Sequence, residues 1–125
     1  MASYNSFEEL DCYKKCREVR MWIHEFIKTQ IPNRDFDMIQ NIRRAARSTT
    51  RNIAEGFGRY GYKDNAQFCK ISRGSLQEIK EDLNISVDEE ICTEADIKEG
   101  KDKIAKALYS LNGYIKYLND RANDK

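Results

Sequence analysis

From Ile42 to Arg59 the chain reads I-R-R-A-A-R-S-T-T-R-N-I-A-E-G-F-G-R. Ile42, Ala46, Thr49, Ile53 and Phe57 recur at steps of three and four, and Ile39 extends the row backwards. At ~100° per residue they fall on one side of a helix. Arg43, Arg44, Arg47 and Arg51 occupy an arc of ~100° well away from that row. The stretch therefore predicts a long two-faced helix, apolar inside and strongly basic outside. Its tail, Asn52-Ile53-Ala54-Glu55-Gly56-Phe57-Gly58-Arg59, puts an amide, a carboxylate and two glycines into the same run. That combination points to a place where helices meet closely or an anion docks. Gly56, Gly58 and Gly61 are expected to break or kink the chain around Tyr60 and Tyr62.

The same periodicity continues on both sides. Upstream, Ser6 with Glu9 forms a capping-box pattern. Leu10, Cys12, Cys16, Val19, Ile23, Phe26 and Ile27 then make one apolar stripe, which Pro32 ends. Asn33 or Asp35 is placed to cap the second helix. Downstream, Phe68, Ser72, Ser75, Leu76, Ile79, Leu83 and Val87 mark the inner face of a third helix. Ser72, Gly74 and Ser75 are small enough to let a neighbouring backbone approach there. Thr93 with Asp96 opens a fourth helix, whose stripe is Ile97, Ile104, Leu108, Leu111, Ile115 and Leu118. The helices are predicted over roughly 7–30, 36–58, 63–88 and 94–119. Similar lengths and short connections give an all-α, up-down-up-down four-helix bundle, a single domain over residues 1–125. No segment alternates with the period of two that a strand requires.

Composition agrees. The chain is 34% charged with one proline, which favours long solvated helices. The net charge of +1 hides an asymmetry. Between residues 35 and 63, Arg43, Arg44, Arg47, Arg51, Arg59 and Lys63 face only Asp35, Asp37 and Glu55. Acidic residues dominate from Gln77 to Asp102. A basic patch and its counter-patch suit docking or assembly. No apolar run follows Met1 and no stretch approaches ~18 apolar residues, so a cytoplasmic protein without a membrane span is expected. Cys12, Cys16, Cys69 and Cys92 then read as reduced thiols. Cys12 and Cys16 lie on the apolar stripe, and Glu-x-x-His pairs are absent, so neither a metal nor another cofactor is expected.

At the second and third helices the chain resembles a known family, the small bacterial four-helix bundle proteins encoded within intervening sequences of 23S ribosomal RNA genes. The carrying pieces are Phe7-Glu8-x-Leu10, Arg43-Arg44-Ala45-Ala46, Asn52 to Arg59, and Arg73-Gly74-Ser75-Leu76-x-Glu78. The accessory variability proteins of diversity-generating retroelements are relatives in this resemblance. It implies a bundle assembled as a ring-like homopentamer, with a non-enzymatic role linked to RNA. For the retroelement relatives that role is binding nucleic acid and a reverse transcriptase, so a nucleic-acid-processing protein is a further partner the resemblance suggests. The chain departs from the family pattern at Thr49-Thr50 and at Ser72.

Read from the residues themselves, the arginine face has two uses. Guanidinium groups can fork onto phosphates in a salt-sensitive, sequence-independent way, and Arg43, Arg44, Arg47, Arg51, Arg59, Lys63 and Arg73 are the candidate nucleic-acid contacts. The alternative is a protein-interaction scaffold in which the same arginines meet carboxylates of a neighbouring subunit. Glu55 can pair with Arg51 or Arg59 at a four-residue step, or reach Arg73. A carboxylate among arginines stays ionised and makes a poor general base, and no second acid, nucleophile or metal set accompanies it. No catalytic residue is therefore assigned. Asn52, Glu55, Gly56, Gly74, Ser75 and Glu78 are read as a structural and assembly network. Tyr60 and Tyr62, beside Arg59 and Lys63, are the aromatic residues best placed to meet a base.

Overall fold

A computed structural model describes residues 4–124. A single 3-10 turn, Phe7–Glu9, precedes four α-helices: α1 Asp11–Gln30, α2 Phe36–Phe57, α3 Tyr62–Asp88 and α4 Glu94–Ala122. No strand occurs among the described residues. Each helix packs on two neighbours, in the closed order α1–α2–α3–α4–α1. Short connections make successive helices antiparallel, which is the expected up-down-up-down bundle. Its core is one cluster in which Ile23, Ile42, Ile53, Leu76, Ile79, Leu83, Ile104 and Leu111 are essentially inaccessible. Among the described residues, no helix is long and apolar enough to cross a membrane.

The helix ends follow local chemistry. Ile31, extended at ψ 118°, ends α1 immediately before Pro32. Thr93 and Asp96 form a full capping box at α4, each side chain accepting the other's backbone N–H. The upstream Ser6–Glu9 pattern does something different from what its spacing predicts. Ser6 Oγ accepts the N–H of Glu8 at 3.1 Å, and the Glu9 carboxylate accepts that of Asn5 at 2.8 Å. The pair therefore caps only the 3-10 turn. Leu10, extended and buried in the core, interrupts the helix so that α1 begins at Asp11.

The glycines also depart from expectation. Gly56 does not break α2; it lies inside the helix, and Gly58 caps it with φ −72°. The left-handed residue in the turn to α3 is Tyr60, at φ 62°, and no described glycine has positive φ. Gly74 is exposed, and a Cβ built there would meet nothing within 4 Å. It marks no close approach among the described residues. The close approaches are at Gly56, against Asn65 and Phe68 of α3, and at Gly100 of α4, against the Trp22 ring of α1. Trp22 in turn stacks on Phe26, with ring centroids 5.0 Å apart.

Gly113 of α4 shares the open surroundings of Gly74. Alanine restricts the unfolded chain and favours the helix, at no steric cost at such a position. Gly113→Ala is expected to raise the unfolding free energy by about 0.5–1 kcal/mol. A urea titration checks this, and an unchanged or lower midpoint would contradict it.

Candidate nucleic-acid interface

The basic face forms along the seam between α1 and α2. Burial of Ile42, Ala46, Thr49 and Ile53 turns Arg43, Arg47 and Arg51 to the outer side of α2. Here they border a groove of ≈ 490 Å³ whose other wall is α1. Ile23, Ile27 and Ala46 supply apolar surface at its base, and Arg20 and His24 line the α1 side. Arg20 is held in place: its Nη1 donates to Thr50 Oγ1 at 2.8 Å. The Thr50 hydroxyl itself donates to the Arg47 carbonyl at 3.3 Å. One acid, Glu25, borders the groove, and it faces Lys28 at 3.8 Å. Among the described residues, no carboxylate lies within 4 Å of Arg20, Arg43, Arg47 or Arg51. Four permanently charged guanidinium groups thus surround one groove without internal neutralisation.

The remaining candidate cations have partners of their own or lie elsewhere. Arg44 turns to α3, where it pairs with Glu78 and donates to Asn41 Oδ1 at 3.0 Å. Arg59 pairs with Glu55 at 3.0 Å and lies 4.9 Å over the Phe68 ring. Lys63 is exposed at the start of α3. Arg73 donates to Asn112 Oδ1 at 3.0 Å, on the seam between α3 and α4. Of the seven sequence candidates, the structure gathers Arg43, Arg47 and Arg51 at the α1–α2 groove, keeps Arg44 beside the same three around an adjoining hollow of ≈ 550 Å³, and places Arg59, Lys63 and Arg73 elsewhere.

Asn52, Glu55 and Glu78 do not form one network either. Asn52 Nδ2 donates to the carbonyl and the hydroxyl of Ser48, both at 2.9 Å. Ser75 donates to the same Ser48 hydroxyl at 2.8 Å, and Ser72 donates to the Thr49 carbonyl at 2.7 Å. These small hydroxyls lock α2 against α3 at close range, as the small residues of the third helix suggest. Among the described residues Glu55 pairs only with Arg59, and Arg73 lies on a different seam. Glu78 belongs to a separate chain of contacts. There Asn41 Nδ2 donates to both oxygens of the buried Asp82, at 3.3 and 3.1 Å. Burial, and then the nearby Glu78, push the Asp82 carboxyl up to about 6, against the pull of Asn41 and Arg44.

Cys12, Cys16 and Cys69 are buried core residues, and burial pushes all three thiols up, Cys16 and Cys69 to about 12. They are held as protonated, unreactive side chains. Arg20 and His24 are the groove residues that sequence reading missed. Their signal is present: each directly follows a stripe residue, Val19 and Ile23, and they are four apart, like Arg43, Arg47 and Arg51.

A family model described as 23S rRNA-intervening sequence protein matches residues 8–113. The span takes in α1, α2, α3 and most of α4. No curated protein matches the chain. The chain belongs to the 23S rRNA-intervening sequence protein family.

Proposed function

We propose that this member of the 23S rRNA-intervening sequence protein family is a non-enzymatic RNA-binding protein that uses the α1–α2 groove. The observation that carries the reading is the set of four guanidinium groups, Arg20, Arg43, Arg47 and Arg51, left without carboxylate partners around one groove. A surface arginine is ordinarily solvated or paired, as Arg44 and Arg59 are here. Four unneutralised ones facing each other repel, and a polyanion relieves that repulsion. Phosphate fits the fork of a guanidinium, and the apolar base of the groove can accept ribose or the face of a base. In the same proposal the bundle acts as a homo-oligomer, a pentameric ring by its resemblance, in the cytoplasm.

A salt titration tests it. Each phosphate neutralised on a single strand contributes about 0.7 to the slope of log affinity against log salt. Four arginines therefore give a slope of about −3 per site. Arg47→Gln is expected to reduce that slope by about 0.7. Arg73→Gln is expected to leave it unchanged, since Arg73 is engaged on the α3–α4 seam. Light scattering on the same samples reports the oligomer. No RNA binding at low salt, or an Arg47→Gln variant that loses the oligomer, would favour the scaffold alternative.

A further inference from the structure

The groove is not the only place where a strand could engage this bundle. At the end where α2 turns into α3, six aromatic rings border a cavity of ≈ 410 Å³: Tyr4, Phe57, Tyr60, Tyr62, Tyr114 and Tyr117. Three of them build a fixed wall. Tyr114 and Tyr117 stack at 6.1 Å with 16° between planes, and Tyr62 meets Tyr117 edge-on at 6.5 Å. Asn65 Nδ2 donates to the Tyr114 hydroxyl at 3.0 Å and orients the wall. Tyr60 is different. It is 94% exposed, and none of the aromatic pairs among the described residues includes it. Its φ of 62° is one that a side-chain-bearing residue rarely adopts. Glycine would hold this turn with less strain, yet the position carries a large ring that buries nothing in the folded chain.

Aromatic cavities take either cations or flat π-systems. The charge around this one decides between them. Lys63 follows Tyr62 at the start of α3, and the Arg121 guanidinium lies 5.6 Å over the Tyr62 ring. Neither borders the cavity itself; Asp64 follows Lys63 and the charge of Asp124 acts on Arg121, but no carboxylate lies within 4 Å of either cation among the described residues. Two such cations disfavour a cationic guest and favour a flat ring that carries a negative charge with it. A nucleotide has both parts.

We propose that the Tyr60 cavity takes an unpaired base of single-stranded RNA, with the base stacked on Tyr60 and the adjoining phosphate met by Lys63 and Arg121. The inference rests on the nucleic-acid reading above and adds to it a preference for single strands, because a base inside a duplex cannot present its face. Along the α2 axis, Arg51 of the groove and Phe57 of the cavity are about 9 Å apart, at 1.5 Å per residue.

The test uses the full chain, a pyrimidine-rich RNA with one central 2-aminopurine, and the same RNA as a duplex. Binding of the single strand is expected to quench the 2-aminopurine and to exceed duplex binding by about tenfold. Tyr60→Gly suits a left-handed position and removes only an exposed ring, so the bundle is retained. It is expected to weaken single-strand binding by about tenfold, to remove the quench, and to leave duplex binding unchanged. Tyr60→Phe is expected to keep both the affinity and the quench. RNA binding without a quench, or equal single-strand binding by Tyr60→Gly, overturns the cavity and leaves the groove standing. No binding of any RNA at low salt overturns both.

Discussion

Gly56→Val is expected to lower the unfolding free energy by about 3 kcal/mol or more, and Gly56→Ala by about 2 kcal/mol. A Cβ at this position would lie 2.7 Å from Asn65 Oδ1, 2.9 Å from Phe68 Cβ and 3.0 Å from the Asn65 carbonyl oxygen. Two of these three atoms are fixed to the α3 backbone, so the clash is not relieved by turning a side chain. The helices must separate, and Ser72 and Ser75, whose hydrogen bonds span the same seam, separate with them. Displacing Asn65 also disturbs its bond to Tyr114 on α4, so the strain spreads to a third helix. Against this stands the helix-propensity gain of about 1 kcal/mol from removing a glycine. It offsets part of the cost for alanine and less for the β-branched valine. With a typical total stability of about 5–15 kcal/mol, the valine variant loses a large share of it. Urea titrations of both variants beside Gly113→Ala check the sign. A Gly56→Ala variant at least as stable as the parent would show that the α2–α3 contact is looser than described.

The bundle was legible because helical periodicity and end signals agree over most of the chain. Pro32 and the Thr93–Asp96 box mark boundaries that the structure keeps. The Ser6–Glu9 box misled because its spacing carries no information about Leu10, whose burial is a tertiary event that ends the first turn. The glycines were harder for the same reason. Gly56, Gly74 and Gly100 are equivalent by composition, and only their neighbours in other helices distinguish a crowded backbone from an open one. The arginine face was legible on α2, since Arg43, Arg47 and Arg51 share an arc by spacing alone. That Arg20 and His24 complete it depends on which side of α1 packs beside α2, and helix order along the chain leaves that undetermined. Arg44 and Arg73 look identical to the groove arginines in sequence. Arg44 stays beside them but is tied to Glu78, 34 residues away, and Arg73 is drawn to another seam by Asn112, 39 residues away.

Asp82→Asn is expected to raise the unfolding free energy at pH 7.5 by about 2 kcal/mol, with the gain vanishing near pH 4. Asp82 is 5% exposed on α3 and faces Asn41 and Arg44 of α2 together with Glu78 and Glu81 of its own helix. Burial and the like charge of Glu78 make the ionised form costly in the folded chain, so the carboxyl titrates near 6 against an ordinary 3.8. Its folded pKa lies above its unfolded one. The folded state therefore holds the proton more tightly, and the contribution of Asp82 to stability is fully present below about 4 and lost as pH rises through about 6. That gap corresponds to at most about 3 kcal/mol, at 1.36 kcal/mol per pH unit. Asparagine removes the charge and keeps an oxygen to accept from Asn41 Nδ2, so the seam between α2 and α3 stays closed. Other carboxylates titrate over the same pH range in both proteins. The difference between variant and parent isolates Asp82 from them. Urea titrations at pH 7.5, 6 and 4.5 should show that difference shrinking stepwise. A gain that is constant across the three pH values would mean that Asp82 acts through packing and not through its charge.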